Sequence, residues 1–309
     1  MKAEKKAPVV KSEVLKKRER KEFLEAMLYL LPFFIGVVVF TLYPTFFVFT
    51  TAFKEGYKYL TGAFDSIGFA NFKYVLGDPY FEMALKNTSI YVLTVVPISL
   101  ALSIIIATLL NQKLKGIAIF QTAYFLPMVT SVTAVGMAWK YMFHQNYGVI
   151  NYFLGLFGVS PINWLGDPSK NIYALIIFGI WNIMPFTIIL LLSGLQNIDP
   201  QYYTAAKVDG AKTVRIFFRI TIPLLAPTIG LLMIINMIST FKVYNEIFPF
   251  FSGNPGIANN LYTVVYYIYK AFYVDWKFGR ACAAAVILFL IIFVLTRIQL
   301  FIQKKWVNN

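Results

Sequence analysis

The chain predicts an all-α polytopic membrane protein, with six transmembrane helices and one long, internally organised cytoplasmic loop. This rests on three observations. Of 309 residues, 59% are hydrophobic and only 14% charged, with a mean hydropathy of +0.66. Soluble domains are nearer half apolar and a quarter charged, so a surface this poor in charge is better satisfied by lipid than by water. Six apolar runs are each long enough to cross a hydrocarbon core of about 30 Å, which takes about 20 helical residues. The runs are continuous rather than alternating, which argues against a membrane β-barrel.

The spans are placed at residues 26–53, 88–110, 121–143, 172–193, 222–250 and 281–301. Residues 1–25 form a basic arm ahead of a single transmembrane domain, 26–309. The arm holds nine Lys or Arg against five Glu. The run after it is too long for the apolar region of a signal peptide, and no small-x-small cleavage site follows, so it reads as a retained first span. With the arm inside, the inner segments carry 18 of the 28 Lys and Arg: the arm, Lys113, Lys115, Lys207, Lys212, Arg215, Arg219, Arg297, Lys304 and Lys305. The outer segments hold the other ten, diluted by seven acids. That bias places both termini in the cytoplasm. The net charge of +14 therefore reports membrane orientation rather than binding to nucleic acid. Cys282, the sole cysteine, has no partner for an internal disulfide and suits a small packing site. His144, the sole histidine, falls at the outer end of the third span and reads as a boundary residue.

Prolines punctuate the spans: Pro32 and Pro44 in the first, Pro97 in the second, Pro127 in the third and Pro185 in the fourth. Each removes a backbone donor and favours a kink. The outer connectors, 54–87, 144–171 and 251–280, are rich in Gly, Asn, Tyr and Phe, a composition suited to short elements at the lipid headgroups.

The inner connector 194–221 is different in kind. Asp199 is a good N-cap and Pro200 suits the first helical position. A short helix is expected over 201–208, with Gly210 supplying the left-handed residue just past its end. Ala205 and Ala206 give that helix a flat patch where another surface can approach. A second short helix from Lys212 is expected to bury Val214, Phe217 and Phe218 and to expose Lys212, Arg215 and Arg219. Pro223 then opens the fifth span.

This loop resembles the signature loop of the permease subunits of ATP-binding-cassette importers: Glu-Ala-Ala, three residues, Gly, nine residues, Ile, one residue, Leu-Pro. Thr204, Ala205, Ala206, Gly210, Ile220, Ile222 and Pro223 stand at those spacings. Asp209, Gly210 and Ala211, with Phe217 and Thr221, look like the carbohydrate-importer branch. So do Gly68, Asn71, Phe72 and Val75, then Asp78-Pro79, Asn87-Thr88, Phe125-Leu126-Pro127, Trp164-Leu165, residues 181–185, and Ser252-Gly253-Asn254-Pro255. Two departures stand out. Thr204 replaces the acid that names the motif, and Asn254 interrupts a usual Gly-Gly-Pro.

The resemblance implies that Tyr203, Thr204, Ala205, Ala206, Asp209, Gly210 and Ala211 form a coupling helix seated in a groove on a nucleotide-binding subunit. It further implies a second, related permease as a heterodimeric partner, two ATPase subunits, and an extracellular solute-binding protein that delivers a sugar, a di- or oligosaccharide. The chain itself would hold no cofactor, with ATP and Mg on the partner ATPase, and would lie in the cytoplasmic membrane of a bacterium or archaeon.

A sugar path needs polar groups inside apolar helices, because sugars present hydroxyls and apolar faces together. The fifth span carries Asn236, Ser239, Thr240, Lys242, Tyr244, Asn245 and Glu246, and the fourth carries Trp181 and Asn182 beside Pro185. Asn236, Ser239 and Thr240 are three or four apart and share a helical face. The resemblance places substrate contacts on these two spans, so the expected path residues are Trp181, Asn182, Asn236, Ser239, Thr240 and Tyr244. The competing reading for Asn, Ser and Thr is hydrogen bonding between membrane helices. Lys242 and Glu246 lie one turn apart, either paired or separately solvated at the outer end.

Three other functions compete with this reading. A permease for glycerol phosphate or another small polyol fits the same motifs. A secondary transporter is expected to carry acids deep in its spans, whereas here they cluster in connectors, Glu246 excepted. A membrane enzyme finds no HExxH and no GxxxxGK[ST] in the chain.

Overall fold

A computed structural model describes residues 13–112 and 116–307. Residues 1–12 of the basic arm, and Lys113 and Lys115, lie outside the described residues. The chain forms two units, one ending at Thr51 and one beginning at Ala52.

The first unit is one long apolar helical run. Helix α1 (Glu13–Val37) passes through a wide turn, Val38–Leu42, into α2 (Tyr43–Ala52). In the wide turn Tyr43 N–H donates to the Val38 carbonyl, five residues back. Pro44 follows directly and has no N–H to offer, so the widened turn takes up the break in the ladder without ending the helix. The helix begins inside the basic arm, where Arg18 and Glu22 pair across one turn at 2.9 Å on an exposed face.

The second unit begins with a two-residue antiparallel pairing of β1 (Lys54–Glu55) and β2 (Ser66–Ile67). Helices α3 (Ala70–Leu76) and α4 (Pro79–Leu110) follow, then α5 (Ile117–Phe125), a tight turn at Leu126–Val129, α6 (Val132–Met142) and α7 (Val149–Leu156). Next come α8 (Asn171–Gln196), α9 (Pro200–Val208), α10 (Thr213–Ile216), a second wide turn at Phe217–Thr221 and α11 (Ile222–Phe241). The chain closes with α12 (Phe248–Phe251), α13 (Val264–Tyr269), a third wide turn at Lys270–Val274 and α14 (Phe278–Val307).

Among the described residues, five helical runs are long and apolar enough to cross a membrane: Arg18–Ala52, Pro79–Leu110, Asn171–Gln196, Thr213–Phe241 and Phe278–Lys304. The α5–α6 pair is a sixth if it counts as one span, but it bends by 109°. The third span expected over 121–143, with Pro127 favouring a kink, is thus a sharply bent pair of helices rather than one continuous helix. Pro127 tightens the end of α5, Thr130 is extended at φ −93 and ψ 146, and a new helix starts when Val135 N–H reaches the Ser131 carbonyl at 3.0 Å. Pro32, Pro97 and Pro185, by contrast, sit inside unbroken helices.

The fifth span is also shorter than the expected 222–250. Helix α11 stops at Phe241, and Thr263 Oγ1 donates to the Val243 carbonyl at 2.9 Å, capturing the departing chain. Beyond α11 the apolar residues Val243, Ile247, Phe250 and Phe251 pack into protein rather than lipid.

Helices α4 and α8 pack most extensively, α11 lies against both, and α14 packs on α11 and α13. Phe178, Leu175, Ile247 and Phe250 are buried in one cluster, with Trp139, Trp164 and Trp181 packed around it. Ile188, Leu191, Leu225 and Leu232 centre a second cluster nearer α9. Lipid is as apolar as these side chains, so close packing and hydrogen bonds hold such helices together rather than exclusion of water. Gly179 illustrates the closeness, since a Cβ there would overlap the Tyr91 ring. Ala281, Cys282, Ala283 and Ala284 do the same for the start of α14, all buried, as expected for Cys282.

Polar side chains tie the connectors at the end opposite α9. Asn87 Nδ2 donates to the carbonyls of Asn260 and Tyr262 at 2.8 and 2.9 Å. Asn171 and Asn260 bond each other at 2.8 and 2.9 Å. Asp78 caps α4 through Tyr80 N–H at 2.9 Å and accepts from Tyr267 Oη at 2.8 Å. Asn71 Nδ2 reaches the carbonyls of Ala52 and Lys54. Several residues singled out by family resemblance therefore have structural work. His144, at the same end, stacks on Tyr147 at 3.4 Å.

Candidate functional site

The loop between α8 and α11 is built as its sequence implies. Asp199 accepts from Gln201 N–H at 2.8 Å and Pro200 begins α9. At the far end Gly210 N–H bonds the Lys207 carbonyl at 3.0 Å and Ala211 N–H bonds the Ala206 carbonyl at 2.9 Å. Gly210 has φ +69. This is the Schellman arrangement, in which a left-handed residue closes the last carbonyls of a helix. Thr221 Oγ1 contacts Tyr203 Oη at 3.4 Å, linking α9 to the start of α11. Both ends of the short helix are thus fixed.

The faces of this loop differ from expectation in part. Tyr203 is half-buried, while Thr204, Ala205, Asp209 and Gly210 are exposed. Ala206 is buried within the chain, so the exposed small-residue patch is Ala205 without Ala206. Thr204 Oγ1 bonds back to the Pro200 carbonyl at 3.2 Å. Beyond Ala211, Ile216 is the buried residue of α10, whereas Val214 and Phe218 are exposed, which corrects the expected buried face. The wide turn at 217–221 moves the register of the following residues by widening the helix just before Pro223, as the first one does before Pro44.

A second feature lies between α4, α8 and α11: a cavity of about 260 Å³ lined by Asn182, Asn236, Ser239, Thr240, Tyr91 and Glu246 among apolar neighbours. It falls just below the usual range of small-molecule pockets, which starts at about 300 Å³. Four of the six expected path residues meet there. Asn236 also donates to Thr187 Oγ1 on α8 at 3.0 Å, so one side chain both pins two helices and faces the cavity. Thr240 Oγ1 is buried with no hydrogen-bond partner among the described residues.

Trp181 and Tyr244 do not line the cavity. Trp181 packs against Trp139 at 5.3 Å and Phe178 at 6.2 Å. Tyr244, displaced by the early end of α11, joins Tyr266 and Tyr269 at 6.2 and 5.2 Å. Two lining residues were missed as site residues. Tyr91 reads as one more apolar-run aromatic on α4, with no motif to mark it. Glu246 carried a signal, as the one acid outside the predicted connectors. It forms no ion pair with Lys242, which is exposed. Its carboxylate accepts from Tyr244 N–H at 3.3 Å and faces the cavity.

Membrane-length helices around a polar cavity, with a capped helix fixed between two of them at one end, define a multi-pass membrane transport subunit. The family described as binding-protein-dependent transport system inner membrane component matches residues 87–308, and the chain belongs to it as a permease subunit. It is 32% identical over 274 residues to the arabinooligosaccharides transport system permease protein AraP of Halalkalibacterium halodurans, covering 88% of this chain and 85% of that one. It is 35% identical over 242 residues to the lactose transport system permease protein LacF of Rhizobium radiobacter, covering 77% and 81%. Its fold is similar to a chain of a bacterial ABC transporter involved in import of the acidic polysaccharide alginate, with a TM-score of 0.80 at 24% identity over 95% of this chain and 99% of that one.

Proposed function

We propose that this permease subunit forms, with a second related permease, the translocation path for a di- or oligosaccharide in an ATP-driven importer. A soluble binding protein delivers the sugar at the face where α4 begins. Two separate ATPase subunits, which hold ATP and Mg, seat α9 in their grooves on the cytoplasmic side. Closure of those subunits moves α9, and the Tyr203–Thr221 contact passes the movement to α11. Both termini then lie in the cytoplasm, in keeping with the charge bias. The names of the relatives support the sugar, since they are permeases for arabinooligosaccharides and lactose.

The observation that carries this reading is the cavity itself. It presents hydroxyl and amide groups from two helices and a tyrosine from a third, the mixture a sugar's hydroxyls and apolar faces require. One of those helices, α11, is the one joined to α9. In proteoliposomes holding the assembled importer and its binding protein, Asn182→Leu and Asn236→Leu should each cut sugar uptake about tenfold, the value of one hydrogen bond to a buried group. Unchanged uptake in both variants would remove the cavity from the path.

A further inference from the structure

Glu246 gives this cavity a charge character that the family match does not specify. The lining residues include one carboxylate and, among the described residues, no Lys, Arg or His. The nearest cation in sequence, Lys242, is exposed and makes no ion pair with it among the described residues. The carboxylate accepts from Tyr244 N–H at 3.3 Å and from its own backbone N–H. Ionised carboxylates have about four acceptor positions, so this one has acceptor capacity to spare. Tyr91 adds a phenol to the lining, and Thr240 adds a hydroxyl with no partner among the described residues.

We infer that Glu246 is a specificity-determining residue of the translocation path, selecting neutral or amino sugars and rejecting acidic ones. The inference rests on the reading of this cavity as the sugar path. Sugar hydroxyls donate readily to a carboxylate, and such charge-assisted bonds are about twice as strong as neutral ones. An ammonium on an amino sugar pairs with it directly. A uronate meets the opposite situation. Its own carboxylate loses water on entry and finds no cation among these lining residues to replace it. A like charge placed against the wrong ligand is a common way to build specificity. The likeness to a chain of an alginate importer, at 24% identity, is a likeness of fold.

The test is equilibrium binding of three probes to the purified, assembled importer without its binding protein, read by ligand-observed NMR. The probes are lactose, the dimer of glucosamine, and digalacturonate. Wild type should bind the first two and reject the third. Glu246→Gln keeps the shape and removes the charge. It should weaken the glucosamine dimer about tenfold, weaken lactose less, and narrow the gap to digalacturonate. Glu246→Asp keeps the charge and should preserve the wild-type order, which guards against a Gln variant that assembles poorly. Unchanged affinities for all three sugars in Glu246→Gln, with binding still lost in Asn236→Leu, overturn the role of Glu246 and leave the cavity reading intact. Absence of binding by all three to wild type overturns both.

Discussion

Asn236 holds two positions at once. Its amide donates to Thr187 Oγ1 on the neighbouring helix, and its side chain faces the cavity. Thr187 has a second bond, to the Ile183 carbonyl at 3.0 Å, and does not line the cavity. The two residues therefore separate helix packing from substrate contact. A double-mutant cycle of Thr187→Val and Asn236→Leu in detergent should give a coupling energy of about 0.6 kcal/mol and no more than about 1.7, the range of interhelical hydrogen bonds in membranes. Both single variants lose stability. Uptake should fall in Asn236→Leu and stay near wild type in Thr187→Val. Equal losses of uptake would assign Asn236 to packing alone.

At the scale of elements, the short loop helix is the part whose structure could be read almost completely from sequence. Its signals are local: a capping Asp199, Pro200 at the first turn, and a glycine where φ must be positive. A Cβ on Gly210 meets nothing within 4 Å, so the demand there comes from the backbone alone. Left-handed conformation costs an ordinary residue about 1–2 kcal/mol, and Asn tolerates it better. Gly210→Val should fray the end of α9 and cut uptake about tenfold while ATP hydrolysis continues, and Gly210→Asn should restore coupling; the ratio of sugar moved to ATP hydrolysed measures it. Elements set by tertiary packing were not legible in this way. The run 247–251 is as apolar as a span, yet Ile247 and Phe250 bury against Phe178 and Trp181 instead of lipid. Hydropathy does not distinguish those two apolar surroundings. The 109° bend at 130–131 needs a proline plus two residues that leave the helix, and only the proline was visible as a signal. Tyr91 was invisible because nothing in α4 marks which face meets α8.

For the whole molecule, the question is which face of the membrane α9 occupies. Helices α8 and α11 are joined through α9, so Asp199 and Gly210 lie at one end of the bundle and the start of α8, with Asn171, at the other. The α9 end carries exposed Lys207, Lys212, Arg215 and Arg219. The opposite connectors mix their cations with acids, as in Lys54, Lys58, Glu55 and Asp65. Basic residues near span ends stay on the cytoplasmic side. Cys282 is buried, which makes the native chain a quiet background for thiol labelling. A single added cysteine at exposed Thr61 should react with a membrane-impermeant maleimide applied to intact spheroplasts, and one at exposed Thr204 should not. In inside-out vesicles the order should reverse. Under the proposed docking of α9, Thr204 faces the ATPase, so adding that subunit to the vesicles should then protect the Thr204→Cys thiol and leave Thr61→Cys unaffected. Labelling of Thr204→Cys from the outside would invert the whole topology and detach α9 from any cytoplasmic ATPase.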